Sequence, residues 1–152
     1  MGCGKEFDTG NCVCDILKEI ADAQNDVIEN CCDSSCEQSI NDLLGERDQG
    51  NGLDTVPVIL YCKGNCKPFK GFGAHPNDIG DIVASFFFRV KKVKDDCCAV
   101  LELLRDPRDD KANPDDPVEQ DTKPLRATGI CITVDLNCFC HVTCLPAINA
   151  LN

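Results

Sequence analysis

Apolar residues recur along residues 11 to 31 in the rhythm of one helix face. Val13, Ile16, Leu17, Ile20, Val27, Ile28 and Cys31 follow i, i+3, i+4, i+7 spacing, and only Gln24 interrupts the stripe. Asn11 stands where an N-cap belongs, and Asp15 suits the first turn, where the helix dipole favours negative charge. The stripe predicts packing on the rest of the same domain. Residues 32 to 55 are polar and glycine-bearing, and predict a cysteine-containing loop with one short helix at 37 to 44.

From residue 56 the period changes from 3.6 to 2. "VPVILYC" at 56 to 62 is apolar on both parities and reads as a strand, followed by the turn "KGN" and a partner strand near "KPFKGFG". In "SFFFRVKKV" at 85 to 93, Phe86, Phe88 and Val90 share one predicted face, and Phe87, Arg89 and Lys91 the other. In "CCAVLELLR" the inward set is Cys97, Ala99, Leu101 and Leu103. From Ile130, alternate positions carry Ile132, Val134, Leu136, Cys138, Cys140, Val142 and Cys144, an unbroken apolar or thiol parity. A single strand of that length is exceptional, which predicts a bend or bulge near Asp135 to Asn137. If parity survives the bend, Cys138, Cys140 and Cys144 face the core. Residues 105 to 128 hold four prolines and many carboxylates, and predict an exposed, mobile acidic loop. The calcium-loop order D-x-[DN]-x-[DN]-G is absent from it. Together these signals predict a mainly β protein: an antiparallel β-sandwich-like domain at 56–152 behind an N-terminal helical, cysteine-rich arm at 1–55, the two forming one structural unit.

Charge narrows the function. A net charge of −11 with a pI near 4.4 repels phosphate at long range, which argues against nucleic acid and anionic lipid as partners. No apolar run reaches the length of a membrane helix, so no membrane insertion is expected. The opening "MGCGKEFDTGNC" lacks a basic region followed by an apolar one, and Glu6 stands where an N-myristoylation signal has Ser or Thr. Synthesis in a reducing cytosol is the expectation, and it conflicts with fourteen cysteines in 152 residues.

Cysteine spacing limits the chemistry. No two cysteines are three apart, which removes the C-x-x-C of thioredoxin-like redox centres and of the commonest zinc knuckle. The pairs 32/36, 62/66 and 140/144 have C-x₃-C spacing, which zinc permits. Both histidines are weak ligand candidates: His75 precedes Pro76 in a glycine-bearing loop, and His141 lies on the polar parity. No signature of a nucleophilic cysteine with its base is present, so no enzyme is predicted. The vicinal pairs Cys31–Cys32 and Cys97–Cys98 cannot bond internally without strain, and Cys138 and Cys140, two apart on one face, are poor mutual partners. Spacing therefore favours long-range or intermolecular disulfides.

"NCVCDILKEI", "DTVPVILYCKGNCKPFKGFG", "FFFRVKKVKDDCCAVLELL" and "ICITVDLNCFCHVTCL", taken in order over most of the chain, resemble the spore coat protein Y/Z family of endospore formers. The family's C-terminal pattern falls on Val134, Asp135, Leu136, Cys138, Phe139, Cys140 and Cys144, while His141 and the strongly acidic loop depart from it. The resemblance implies a structural protein of the outer spore coat or exosporium, made in the mother cell. It also implies self-assembly into hexagonally packed sheets through hexamers, alongside other coat and exosporium proteins, and later disulfide cross-linking. No cofactor is implied. A zinc-stabilised cysteine-rich binding module is the alternative reading, and a thiol oxidoreductase the third.

Two classes of cysteine follow. Cys3, Cys12, Cys14, Cys31, Cys32 and Cys36 lie in a polar arm able to reach a neighbour, and are the expected intersubunit disulfides. Cys97, Cys98, Cys138, Cys140 and Cys144 are expected to be buried or bonded within the subunit. Phe87, on the polar parity of its strand, is the expected assembly contact.

Overall fold

A computed structural model describes residues 10–28, 32–45 and 52–151. The chain divides into two compact units, Met1–Asp33 and Ser34–Asn152. The first contains helix α1, Cys12–Val27, whose Asn11 cap accepts from the Cys14 N–H at 3.0 Å. Val13, Leu17, Ile20, Val27 and Ile28 along its apolar stripe are exposed. Among the described residues no helix is long and apolar enough to cross a membrane.

The second unit is mainly antiparallel β, as the period-two patterns predict. Helix α2 (Cys36–Gly45) precedes strands β1 (Val58–Cys62), β2 (Gly71–Gly73), β3 (Val83–Ser85), β4 (Phe88–Val93), β5 (Cys98–Arg105), β6 (Arg126–Asp135) and β7 (Phe139–Cys144). Five strands form one sheet in the order β6-β5-β4-β1-β7, and β2 pairs with β3 in a small second sheet. The outermost strands β6 and β7 are consecutive in the chain, joined by a 3-10 turn at Leu136–Cys138. Four residue steps span at most ~14 Å, whereas the edges of a flat five-stranded sheet lie ~19 Å apart. The large sheet must therefore roll until its two edges approach each other at that end.

Rolling encloses the main core of Val58, Leu60, Phe88, Ala99, Leu101, Leu103 and Ile130, with Ile132, Val134, Leu136 and Phe139 packed against it. The small sheet covers this core. A Cβ on Gly71 would come within 2.8 Å of Ile132 Cδ1 and Phe88 Cε1, and one on Gly73 would overlap the Ile130 side chain, so glycine is what lets β2 approach. On the opposite face Ile59, Phe86, Phe87, Leu104, Leu125 and Ala150 form a second cluster. Both faces of β1 are thus buried, as its doubly apolar run requires.

The acidic segment departs from expectation. Gln120, 4% exposed, accepts from the Phe86 N–H at 3.0 Å and donates to Ser85 Oγ at 2.9 Å. The buried Arg105 guanidinium donates to the carbonyls of Ala84 and Lys111, and Asp106 pairs with Arg108 at 3.2 Å. Leu125 and Pro114 are buried as well. The segment holds too little apolar surface to form a core, but its buried polar groups each find partners, and these tie it to the β3–β5 region.

Helix α2 is stapled to β7 by a Cys36–Cys144 disulfide that spans 108 residues of sequence, and Ser39 Oγ donates to the Leu145 carbonyl at 2.7 Å. Replacing Cys36 and Cys144 together by Ser should lower unfolding free energy under oxidising conditions by about 2–5 kcal/mol, read from urea titration; an unchanged midpoint would contradict the staple. Gly73→Ala should cost about 1–3 kcal/mol through overpacking against Ile130. Gly80→Ala, with open space around the added methyl, should change stability by less than about 0.5 kcal/mol.

Candidate functional site

Three turns meet at one end of the rolled sheet. The turn after β1 closes by Cys66 N–H to Cys62 O (3.0 Å) and Cys62 N–H to Lys67 O (2.9 Å). The β4–β5 hairpin closes by Cys97 N–H to Lys94 O (2.9 Å), with Asp96 Oδ1 accepting from the Cys98 N–H at 3.1 Å. The 3-10 turn starts at Asp135, whose carboxylate accepts from the Asn137 N–H at 2.9 Å. Lys63 N–H to Cys138 O and Leu136 N–H to Cys97 O, each 2.9 Å, join the three turns, and Cys140 Sγ lies 3.7 Å from Cys62 O. One rim therefore carries Cys62, Cys66, Cys97, Cys98, Cys138 and Cys140. All six are free thiols; Cys62 and Cys98 are half-buried and the other four exposed.

Local packing turns these thiols outward. Phe139 enters the main core and meets the Phe69 ring edge-on at 5.2 Å between centroids. With Phe139 inside, its neighbours Cys138 and Cys140 are left outside. Strand pairing shows how parity slips: Tyr61 faces His141 but Cys62 faces Phe139, so Cys140 is the extra residue of a bulge. The expected irregularity after Asp135 is present as the 3-10 turn, and it breaks the alternation. Only beyond the bulge does Cys144 return to the core side. Cys66 (φ +58°) and Cys97 (φ +67°) are the two non-glycine residues with positive φ among the described residues. That conformation costs a side-chain-bearing residue about 1–2 kcal/mol, yet both turns carry cysteine there.

Electrostatics distinguish one rim thiol. The Asp96 carboxylate beside it, burial and then Asp135 push the Cys98 thiol above the usual cysteine range, because each disfavours a thiolate. Among the described residues no three His, Cys, Asp or Glu side chains are grouped to hold a metal ion.

The structure departs from the expected division of the cysteines at Cys36, Cys97, Cys138 and Cys140. Cys36, expected between subunits, is bonded within the chain to Cys144, and Cys12 is also disulfide-bonded. Cys144 alone of its class is in an intrasubunit bond; Cys97, Cys138 and Cys140 are exposed and free, and Cys98 is free and half-buried. Cys14 and Cys32 are free, and Cys3 and Cys31 lie outside the described residues. Phe87 is only 4% exposed, inside its own subunit, which removes the argument for it as an assembly contact. It lies between β3 and β4, where the chain passes from the small sheet to the large one and alternation lapses, so Phe86 and Phe87 enter the same cluster. Sequence reasoning missed Cys62, Cys66 and the exposed Cys131. "CKGNC", two thiols flanking a glycine-bearing turn, carries the signal for the first two.

The profile of the family described as Spore coat protein Z matches residues 1–147. Spore coat protein Z of Bacillus subtilis (strain 168) is 32% identical over 145 residues, covering 90% of each chain. No solved structure matches. Matched over nearly its whole length, with its C-terminal cysteine pattern carried on a thiol-bearing rim, this chain belongs to the spore coat protein Z family.

Proposed function

We propose that this chain is a non-enzymatic structural protein of the outer spore coat or exosporium. It assembles with copies of itself, and beside other coat proteins, into hexagonally packed two-dimensional sheets that disulfides then lock. The observation that carries this reading is the separation of two roles in one fold. Hydrophobic clusters, hydrogen bonds and one internal disulfide hold the β unit together, while six thiols stand free on one rim of it. Thiols that the fold does not use remain available to neighbours.

Compartment chemistry supports an order of events. Chains made in a reducing mother cell keep their thiols and can order themselves by noncovalent contacts. Oxidation on release converts contacts that dissociate into bonds that must be reduced. Locking last avoids trapping misplaced subunits.

Protein expressed alone, held with reductant and chelator, should form ordered sheets or rings by electron microscopy; a persistent monomer at high concentration would sink the proposal. Since a raised pKa leaves less thiolate at neutral pH, alkylation of Cys98 by iodoacetamide should increase with pH through a midpoint above the ordinary cysteine range. Asp96→Asn removes the largest cause of that shift, and should speed Cys98 modification at pH 7.5 severalfold, read residue by residue by tandem mass spectrometry. An unchanged rate would refute that electrostatic account.

A further inference from the structure

We propose that the locking bonds run rim to rim: the Cys62–Lys67, Lys94–Cys98 and Asp135–Cys140 turns of one subunit meet the same turns of a second copy, and their thiols pair across the contact. This rests on the reading of the chain as a disulfide-locked, self-assembling protein and specifies the surface that does it.

Three observations lead there. The first is concentration: the β unit has seven free thiols among its described residues, and all except Cys131 stand on this rim. A rim meeting a remote surface of its neighbour would find at most one thiol of that unit there, whereas a rim meeting itself finds six. Contact of a patch with its own copy is also what a two-fold interface requires.

The second is charge. The chain carries −11 overall, so most faces of two copies repel. Across the three rim stretches, however, Lys63, Lys67 and Lys94 are matched by Asp95, Asp96 and Asp135, and no other charged residue occurs in them. The rim is locally neutral and two-signed. A copy rotated by a two-fold axis can set the lysine-bearing β1 turn against the aspartate-bearing hairpin, twice. Disulfide partners need Cα atoms within about 7 Å, shorter than the ~8–10 Å screening length of ordinary salt, so complementary charge acts at the distance where bonding is decided.

The third is backbone conformation. Cys66 and Cys97 occupy left-handed positions that glycine would fill without strain, and both positions are at turns of the rim. Strain retained under a reactive side chain marks a position held for that side chain.

The covalent step balances through a low-molecular-weight disulfide as oxidant. A rim thiolate attacks it and releases one small thiol, leaving a mixed disulfide. A thiolate of the neighbouring rim then attacks the protein sulfur and expels the second small thiol. Two protein thiols lose two electrons and two protons, and the oxidant becomes two thiols.

The test uses the full chain as an equal mixture of ¹⁵N-labelled and unlabelled protein, assembled under reductant, then oxidised with oxidised glutathione and digested without reduction. Mixed-isotope disulfide peptides identify bonds between subunits. Both cysteines of most such peptides should come from the six rim positions. The Lys63→Glu/Lys67→Glu variant should cross-link roughly threefold to tenfold more slowly at low salt, with the deficit shrinking as salt is added. Replacing Cys14, Cys32 and Cys131 together by Ser should leave cross-linking intact. Intersubunit bonds that map elsewhere, rim bonds found only within one subunit, or indifference to the charge reversal would overturn the inference while leaving self-assembly standing. A parent chain that stays monomeric would overturn both.

Discussion

Three residues join the two outer strands of a five-stranded sheet, and much of the β unit depends on that short bridge. Chain connectivity alone forbids a flat sheet, because Leu136–Cys138 cannot span its width. The roll creates the enclosed face that Phe88, Leu101 and Leu103 fill, each 0% exposed. It also draws the β1 turn, the β4–β5 hairpin and the 3-10 turn to one end, so the geometry that makes the core gathers the thiols.

Phe139 links these two consequences. Its ring helps to close the core against Phe69, and its burial leaves Cys138 and Cys140 facing outward. A cysteine in its place would fill less volume and would remove the anchor that sets the parity of its neighbours. Stability and thiol presentation are therefore coupled through a single side chain. Elsewhere polar groups perform comparable service: Glu102, 4% exposed, accepts from the Gly129 N–H at 2.8 Å where β6 bends with φ +80°. Arg105 and Gln120 likewise order a segment that has little apolar surface to bury.

On the proposed reading the chain orders itself before its rim thiols are oxidised. A fold held mainly by apolar packing keeps its shape whatever the redox state of the rim. Within the β unit the Cys36–Cys144 staple ties folding to oxidation, and it lies at the far end of β7 from Cys138 and Cys140. Oxidation can then act on a β unit whose surface is already formed.

Much of this was legible in local pattern. A helix within 11–31 capped by Asn11, a short helix near 37–44, the doubly apolar β1, an inward parity that holds at Ala99, Leu101 and Leu103 though not at Cys97, and a break near Asp135 all follow from spacing, because each depends on neighbours within a few residues. The family was legible too, in the order of its motifs. The thiols were not. Whether Cys138 and Cys140 point in or out turns on a single extra residue in β7, and a one-residue slip reverses every side chain. That Cys36 finds Cys144 at a separation of 108 residues, and that Phe87 turns inward as the chain changes sheets, depends on which strands become neighbours. Sequence by itself determined the elements, the charge and the abundance of thiols; only the rolled sheet decided which thiols were left outside, because exposure is settled by contacts between residues far apart in the chain.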